Sequence, residues 1–201
     1  MIKTIIFDLG NVLIPFDFTR GYRGMEELTG LTAAEIRARI SATDLVQRFE
    51  SGLIESKDFV SGLADLLGTP FGYETFAGIW SSIFLPHTLV PESLIEALHR
   101  KYRLQVLSNT NPLHFEMVSA TYPILRHFDS YTLSHEVKAM KPDPRIFASA
   151  LADAGCQPQE CFYTDDIADY VEAARRQGID AVQFQSGSQV EEELRARGID
   201  W

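Results

Sequence analysis

Long hydrophobic runs are missing from this sequence. No stretch of its 201 residues approaches the roughly 18 consecutive apolar residues that a membrane span needs, so no membrane partner is expected. Cysteine is scarce, with Cys156 and Cys161 the only two. They make no disulfide framework, are not spaced C-x-x-C and have no histidine cluster nearby, which disfavours an exported scaffold and a zinc site. The N-terminal run Met1–Phe7 is interrupted by Asp8 too early for a signal peptide, and the expected location is cytoplasmic. Positive charge is in deficit: 18 Lys and Arg face 28 Asp and Glu, for a formal net charge of −10. That balance opposes nucleic-acid binding. It also requires a local positive feature to hold any anionic ligand against the field of the whole chain. Internal repeats and low-complexity tracts are absent, and nothing in the sequence reports an oligomeric state.

What is present is ordinary for a globular protein, with 45% hydrophobic and 23% charged residues. The length suits one domain with an insertion, or two small ones. Short apolar runs at Ile2–Phe7, Leu104–Leu107, Tyr131–Leu133, Cys161–Tyr163 and Ala181–Phe184 read as strands. Helical patterns at Pro91–Tyr102, Asp143–Ala154 and Ala168–Gly178 lie between them, the last closing on a C-cap glycine. Strands alternating with helices predict an α/β fold, a Rossmann-like parallel sheet covered on both faces. Residues 15–86 break the alternation. This stretch reads as helical, with a capping-box pattern from Thr32. Its aromatics Phe49, Phe59, Phe71, Tyr73, Phe76, Trp80 and Phe84 suit either a small core of their own or the wall of a substrate pocket. The expected division is a core domain of residues 1–14 and 87–201 with a helical cap, 15–86, inserted after the first strand.

In such sheets ligands bind beyond the carboxyl ends of the strands, and four polar clusters follow apolar runs. Asp8-Leu9-Gly10 reads alone as a turn or as a carboxylate nucleophile, with backbone N–H groups turned toward an anion. Ser108-Asn109-Thr110-Asn111 is a helix cap, or a hydroxyl and an amide for phosphate oxygens. In Lys141-Pro142-Asp143-Pro144 the prolines fix the entry to the next helix, and so fix where the lysine points. Asp165 and Asp166 repel one another unless a cation sits between them and Asp8, and magnesium suits that need.

Taken together, FDLGNVL, LSNT, KPDPRIF and YTDD resemble the four motifs of the haloacid dehalogenase-like hydrolase superfamily, over nearly the whole chain. The insertion point resembles that of its first cap subclass. FESGLIESKDF and MKPDPRIF look most like the branch holding α-glucose-1-phosphate phosphatase and other bacterial sugar-phosphate phosphatases. The resemblance implies that Asp8 attacks phosphorus and forms an aspartyl-phosphate. It implies Mg²⁺ held by Asp8, the Gly10 carbonyl, Asp165 and Asp166, and a phosphoryl group held by Ser108, Asn109, Lys141 and the N–H groups of Leu9 and Gly10. The expected partner is a small phosphorylated metabolite, a sugar phosphate for preference.

Two positions depart from the family pattern. Phosphatases of the superfamily usually carry a second acid two residues after the nucleophile, which protonates the leaving group. Here Gly10 stands there, as it does in the sugar-phosphatase branch. Asp17, on the way into the cap, is an alternative proton donor. Tyr170 replaces an Asn or Asp that usually supports the metal acids, which leaves Tyr170 turned away and Asp169 in its place as one arrangement. A 2-haloacid dehalogenase also lacks the second acid, but weakens the pair kept here as Asp165 and Asp166. A non-catalytic phosphate binder is the other alternative, and a phosphomutase ranks below both.

Overall fold

A computed structural model describes residues 1–201. β1 (Thr4–Phe7) is followed by α1 (Phe18–Thr29), α2 (Ala33–Ser41), α3 (Leu45–Glu50), α4 (Ser56–Leu67) and α5 (Tyr73–Ser81). The alternating part then runs α6 (Glu92–His99), β2 (Arg103–Ser108), α7 (Pro112–Thr121), β3 (Ser130–Leu133), α8 (Ser134–Val137), α9 (Pro144–Ala154), β4 (Cys161–Asp165), α10 (Ala168–Arg176), β5 (Asp180–Gln183) and α11 (Gly187–Ala196). All pairings are parallel, in the order β3-β2-β1-β4-β5. No helix is long and apolar enough to cross a membrane.

β1 is central because it is apolar on both faces. Ile5 and Phe7 enter the core cluster that contains Leu94, Leu98, Val118 and Leu194. Ile6 enters the cluster on the opposite face with Ile146, Phe147 and Val171. A strand buried this way reads as a continuous apolar run, which is why it is legible. The five expected strands all form, within a few residues of their expected bounds. α9 starts at Pro144, with the Asp143 side chain accepting from Arg145 N–H at 2.9 Å. α10 ends before Gly178, whose φ of 84° favours glycine. α7 and α11 carry too weak an apolar stripe to be foreseen: α7 buries Leu113, His114 and Val118, and α11 only Val190 and Leu194.

α1 to α5 share a cluster built on Met25, Ile36, Phe49, Phe59, Leu63 and Phe76, which Leu113 of α7 joins. The Thr32 capping box is present, with Thr32 N–H donating to the Glu35 carboxylate at 2.8 Å and Glu35 N–H to the Thr32 hydroxyl at 3.3 Å. The chain enters and leaves this segment side by side. Phe16 and Phe84 form an antiparallel bridge, Asp17 N–H donates to Ile83 C=O at 2.8 Å, and Leu85 N–H donates to Pro15 C=O at 2.9 Å.

Candidate active site

The parallel register brings the polar clusters to one edge of the sheet. Phe7 lies beside Val106 of β2 and Thr164 of β4, so Asp8 stands between the ends of those strands. Its N–H donates to the Thr164 carbonyl at 3.0 Å. Lys141 comes in from the loop before α9, with a fully buried side chain. Its Nζ donates to Asp165 Oδ2 at 2.6 Å, Leu107 C=O at 3.1 Å and the Tyr163 hydroxyl at 3.2 Å, and forms an ion pair with Asp8 Oδ1 at 2.8 Å. Burial works to strip this ammonium of its proton, but Asp8 and Asp165 outweigh it and hold Lys141 above its ordinary value. Asp8 is pushed upward, first by burial and then by the charge of Asp165, with Lys141 opposing.

Asn109 holds the backbone of Lys141. Its side-chain oxygen accepts from Lys141 N–H at 2.7 Å, and its amide nitrogen donates to Lys141 C=O at 3.0 Å and approaches the Tyr170 hydroxyl at 3.4 Å. The amide expected to grip a phosphoryl group is thus occupied in placing the lysine. Ser108 is buried, and its hydroxyl has only a long 3.5 Å contact to the Asn109 carbonyl, which leaves it available. The N–H groups of Leu9 and Gly10 donate to no backbone acceptor.

The two adjacent acids differ. Asp165 is fully buried and its oxygens are engaged: Oδ1 accepts from Ile167 N–H at 2.8 Å, and Oδ2 accepts from Lys141 and the Tyr163 hydroxyl. Burial, followed by the charges of Asp165 and Asp8, holds Tyr163 well above a phenol's ordinary value, so it keeps the proton it donates. Asp166 is half-buried and raised by burial and by Asp165, while the Asn11 side chain opposes. Carboxylate oxygens of Asp8, Asp165 and Asp166 lie within 4.8 Å of one another, and three acids against one ammonium leave the cluster anionic. Such a set of hard oxygens suits Mg²⁺. With Asp165 engaged by the protein, the open donors are Asp8, Asp166 and the Gly10 carbonyl, which accepts no backbone hydrogen bond.

Two expectations about neighbouring residues are corrected. Asp17 is the N-cap of α1: Oδ1 accepts from Thr19 N–H at 2.9 Å and Oδ2 from the Thr19 hydroxyl at 2.8 Å. Those bonds hold its carboxyl below the ordinary range, the wrong direction for a proton donor. Tyr170 does not turn away, since its ring lies 5.2 Å from Lys141 Nζ and covers the ammonium. Asp169 is exposed in the first turn of α10.

Other contributors were not foreseen. Asn11 takes a left-handed φ of 54°, which asparagine tolerates better than most residues. That turn brings its amide to Phe16 N–H at 3.3 Å and toward Asp166. Its place directly after Gly10 was the available signal. Phe16 lies over Gly10, where an added Cβ would come within 2.7 Å of Phe16 Cε1. The ring therefore crowds the space a second acid needs.

The match to the haloacid dehalogenase-like hydrolase family model extends over residues 2–178, and the chain belongs to that family. It is 28% identical to the D-ribitol-5-phosphate phosphatase of Bacteroides thetaiotaomicron, across 96% of this chain and 97% of the relative. It is also 28% identical to a phosphatase of Mycobacterium tuberculosis, across 90% of this chain and 86% of that one. A similar solved structure is a HAD family enzyme of Bacteroides thetaiotaomicron in complex with magnesium and inorganic phosphate. It has a TM-score of 0.83 and 28% identity, and covers 93% of this chain and 96% of that one.

Proposed function

We propose that this chain is a Mg²⁺-dependent phosphatase that hydrolyses a small phosphorylated metabolite, a sugar or polyol phosphate for preference, through an aspartyl-phosphate on Asp8. The observation that carries the reading is Asp8 Oδ1 at 2.8 Å from the buried Lys141 ammonium, with Asp166 close by on the other acid-bearing strand end. The relatives named as phosphatases and the magnesium–phosphate complex of the similar Bacteroides enzyme support it.

In this reading Asp8, Asp166 and the Gly10 carbonyl hold Mg²⁺, which when bound offsets the charge of Asp8 and of the phosphoryl oxygens. Asp8 Oδ attacks phosphorus, and the bond to the leaving alcohol breaks. Lys141, the Ser108 hydroxyl and the N–H groups of Leu9 and Gly10 hold the equatorial oxygens. Water then attacks phosphorus and frees Asp8. Asp165 and Asn109 act through Lys141, fixing its head and its backbone. Residues 15–86 serve as the cap over the strand ends. With no acid at position 10, a leaving oxygen of low basicity, such as that of a sugar 1-phosphate, suits the site.

The test is phosphate release from p-nitrophenyl phosphate, with and without Mg²⁺, by the wild type and by Asp8→Asn. Expected are loss of activity in chelator and a fall of at least about 10³-fold in the variant. Equal rates in the two proteins would leave only a phosphate binder. Halide release from a 2-haloacid, undiminished in chelator, would establish the dehalogenase instead.

A further inference from the structure

A cavity of about 390 Å³ lies among α1 to α5 and the first turn of α7. Two routes tie it to the strand ends. From the nucleophile loop, Phe16 covers Gly10, and its ring packs edge-on against Phe18, centroids 4.9 Å apart. Phe18 lines the cavity and is 57% exposed. From Ser108, the chain reaches Thr110, whose N–H donates to the Ser134 hydroxyl at 2.9 Å. Ser134 in turn donates to the backbone carbonyl of Glu50 at 2.6 Å, and Glu50 also lines the cavity. Neither cavity is lined by a strand-end residue, but a larger hollow of about 690 Å³ along α4 and the loop to α5 also lacks every residue of these two routes.

The cavity wall is mainly apolar, with Tyr22, Met25, Ile36, Leu63 and Trp80 among its residues. Of its polar residues Ser41, Thr43, Glu50 and His114, Glu50 is the only acid. Its carboxyl meets no hydrogen-bond donor and no cation of the protein, and burial alone pushes it up to about 7. The residue is half-buried and its oxygens are not closed off from solvent, so the carboxyl stands open to a ligand hydroxyl without first giving up a protein partner.

We infer that this cavity receives the leaving alcohol of the phosphomonoester, and that Glu50 determines specificity by hydrogen bonding to a hydroxyl on that alcohol. The inference rests on the phosphatase reading above and adds the chemistry of the leaving group to it. A hydroxyl both donates and accepts, so it satisfies a carboxyl in either protonation state. An ammonium needs the charged carboxylate in an apolar setting, or an open aromatic face. The face of Trp80 is not open: it stacks with Phe76 at 5.4 Å and with His114 at 5.5 Å. Glu50 is held for this task, because the Ser134 bond fixes its backbone and Lys138 Nζ donates to Gly52 C=O two residues on.

The experiment measures kcat and KM with Mg²⁺ for ω-hydroxyalkyl, alkyl and ω-aminoalkyl phosphates of equal chain length. The proteins are the wild type, Glu50→Gln and Glu50→Leu, with folding checked by Tm. The wild type is expected to favour the hydroxyalkyl ester over the alkyl ester by about tenfold in kcat/KM, mostly through KM. Glu50→Leu should bring the ratio close to one, and Glu50→Gln, nearly isosteric and still able to hydrogen bond, should keep most of it. Equal use of both esters by the wild type, a ratio unmoved in Glu50→Leu, or preference for the aminoalkyl ester overturns the inference and leaves the phosphatase reading intact. Should Glu50→Leu not fold, the wild-type ratio and Glu50→Gln still decide. Release from p-nitrophenyl phosphate no faster than in Asp8→Asn overturns the phosphatase reading itself.

Discussion

Gly10 and Phe16 behave as a matched pair. A side chain at position 10 meets the Phe16 ring at 2.7 Å, closer than atoms pack without displacement, so restoring an acid there is not a simple gain of function. Gly10→Asp alone is expected to destabilise by about 1–3 kcal/mol and to lower phosphate release. Adding Phe16→Ala should recover Tm and raise activity above the single variant. A Gly10→Asp protein with unchanged Tm and higher kcat would show that the ring does not exclude the acid. Glu50 gives a prediction with a definite sign. Its ordinary value is 4.5, and burial takes it to about 7 when folded. Between those values the folded protein holds a proton that the unfolded chain has lost, so stability falls as pH rises from 4.5 through 7. Glu50→Gln removes that titration. Its gain in stability should be fully present above pH 7, at up to about 3 kcal/mol, and should vanish below pH 4.5, as read by Tm across that range. Both residues show where the site was illegible. Asp8, Lys141 and Asp165 each follow or precede a recognisable run, whereas Phe16 and Glu50 matter through partners distant in sequence. Asn109 was legible in place but not in task, because nothing local shows that its amide closes on the Lys141 backbone.

The elements tell the same story at longer range. The strands were readable because a central parallel strand needs apolar residues on both faces, and Thr4–Phe7 and Cys161–Asp165 have them. α7 was not readable, since it buries residues toward both the sheet and the α1–α5 cluster and so has no single stripe. The docking of the α3–α4 turn was also invisible in the sequence. It depends on Gly52, with φ of 61° and an added Cβ only 1.9 Å from the His135 carbonyl, at the start of α8. Gly30, at the end of α1, has a similar φ of 72° but nothing within 4 Å of an added Cβ. The two glycines therefore separate backbone conformation from docking. Gly30→Ala should cost only the left-handed conformation, about 1–2 kcal/mol, and leave KM unchanged. Gly52→Ala pays the same term and also drives the turn off α8, so it should lower Tm further and raise KM for phosphomonoesters. Equal Tm losses and equal KM values in the two variants would show that this contact does not hold the turn.

Over the whole molecule, the net charge of −10 sets the substrate's approach against its binding. Lys141 does not change the distant field, because it is buried and already paired with Asp8 and Asp165. A dianionic phosphomonoester therefore approaches a repulsive surface and is attracted only at close range. Salt screens the long-range part, with a Debye length of about 30 Å at 0.01 M and about 8 Å at 0.15 M, and leaves the buried contacts nearly untouched. kcat/KM at saturating Mg²⁺ should thus rise by about two- to threefold over that interval in a salt whose anion does not inhibit, with the change in KM and not in kcat. The opposite slope would mean that positive potential at the mouth of the site outweighs the charge of the whole chain, as it does in enzymes that steer anions by a basic rim. Substituting exposed acids such as Glu192 of α11 and Asp200 by Gln and Asn separates the two cases. If the global field is in control, the double variant gains in kcat/KM at low salt and matches the wild type at high salt.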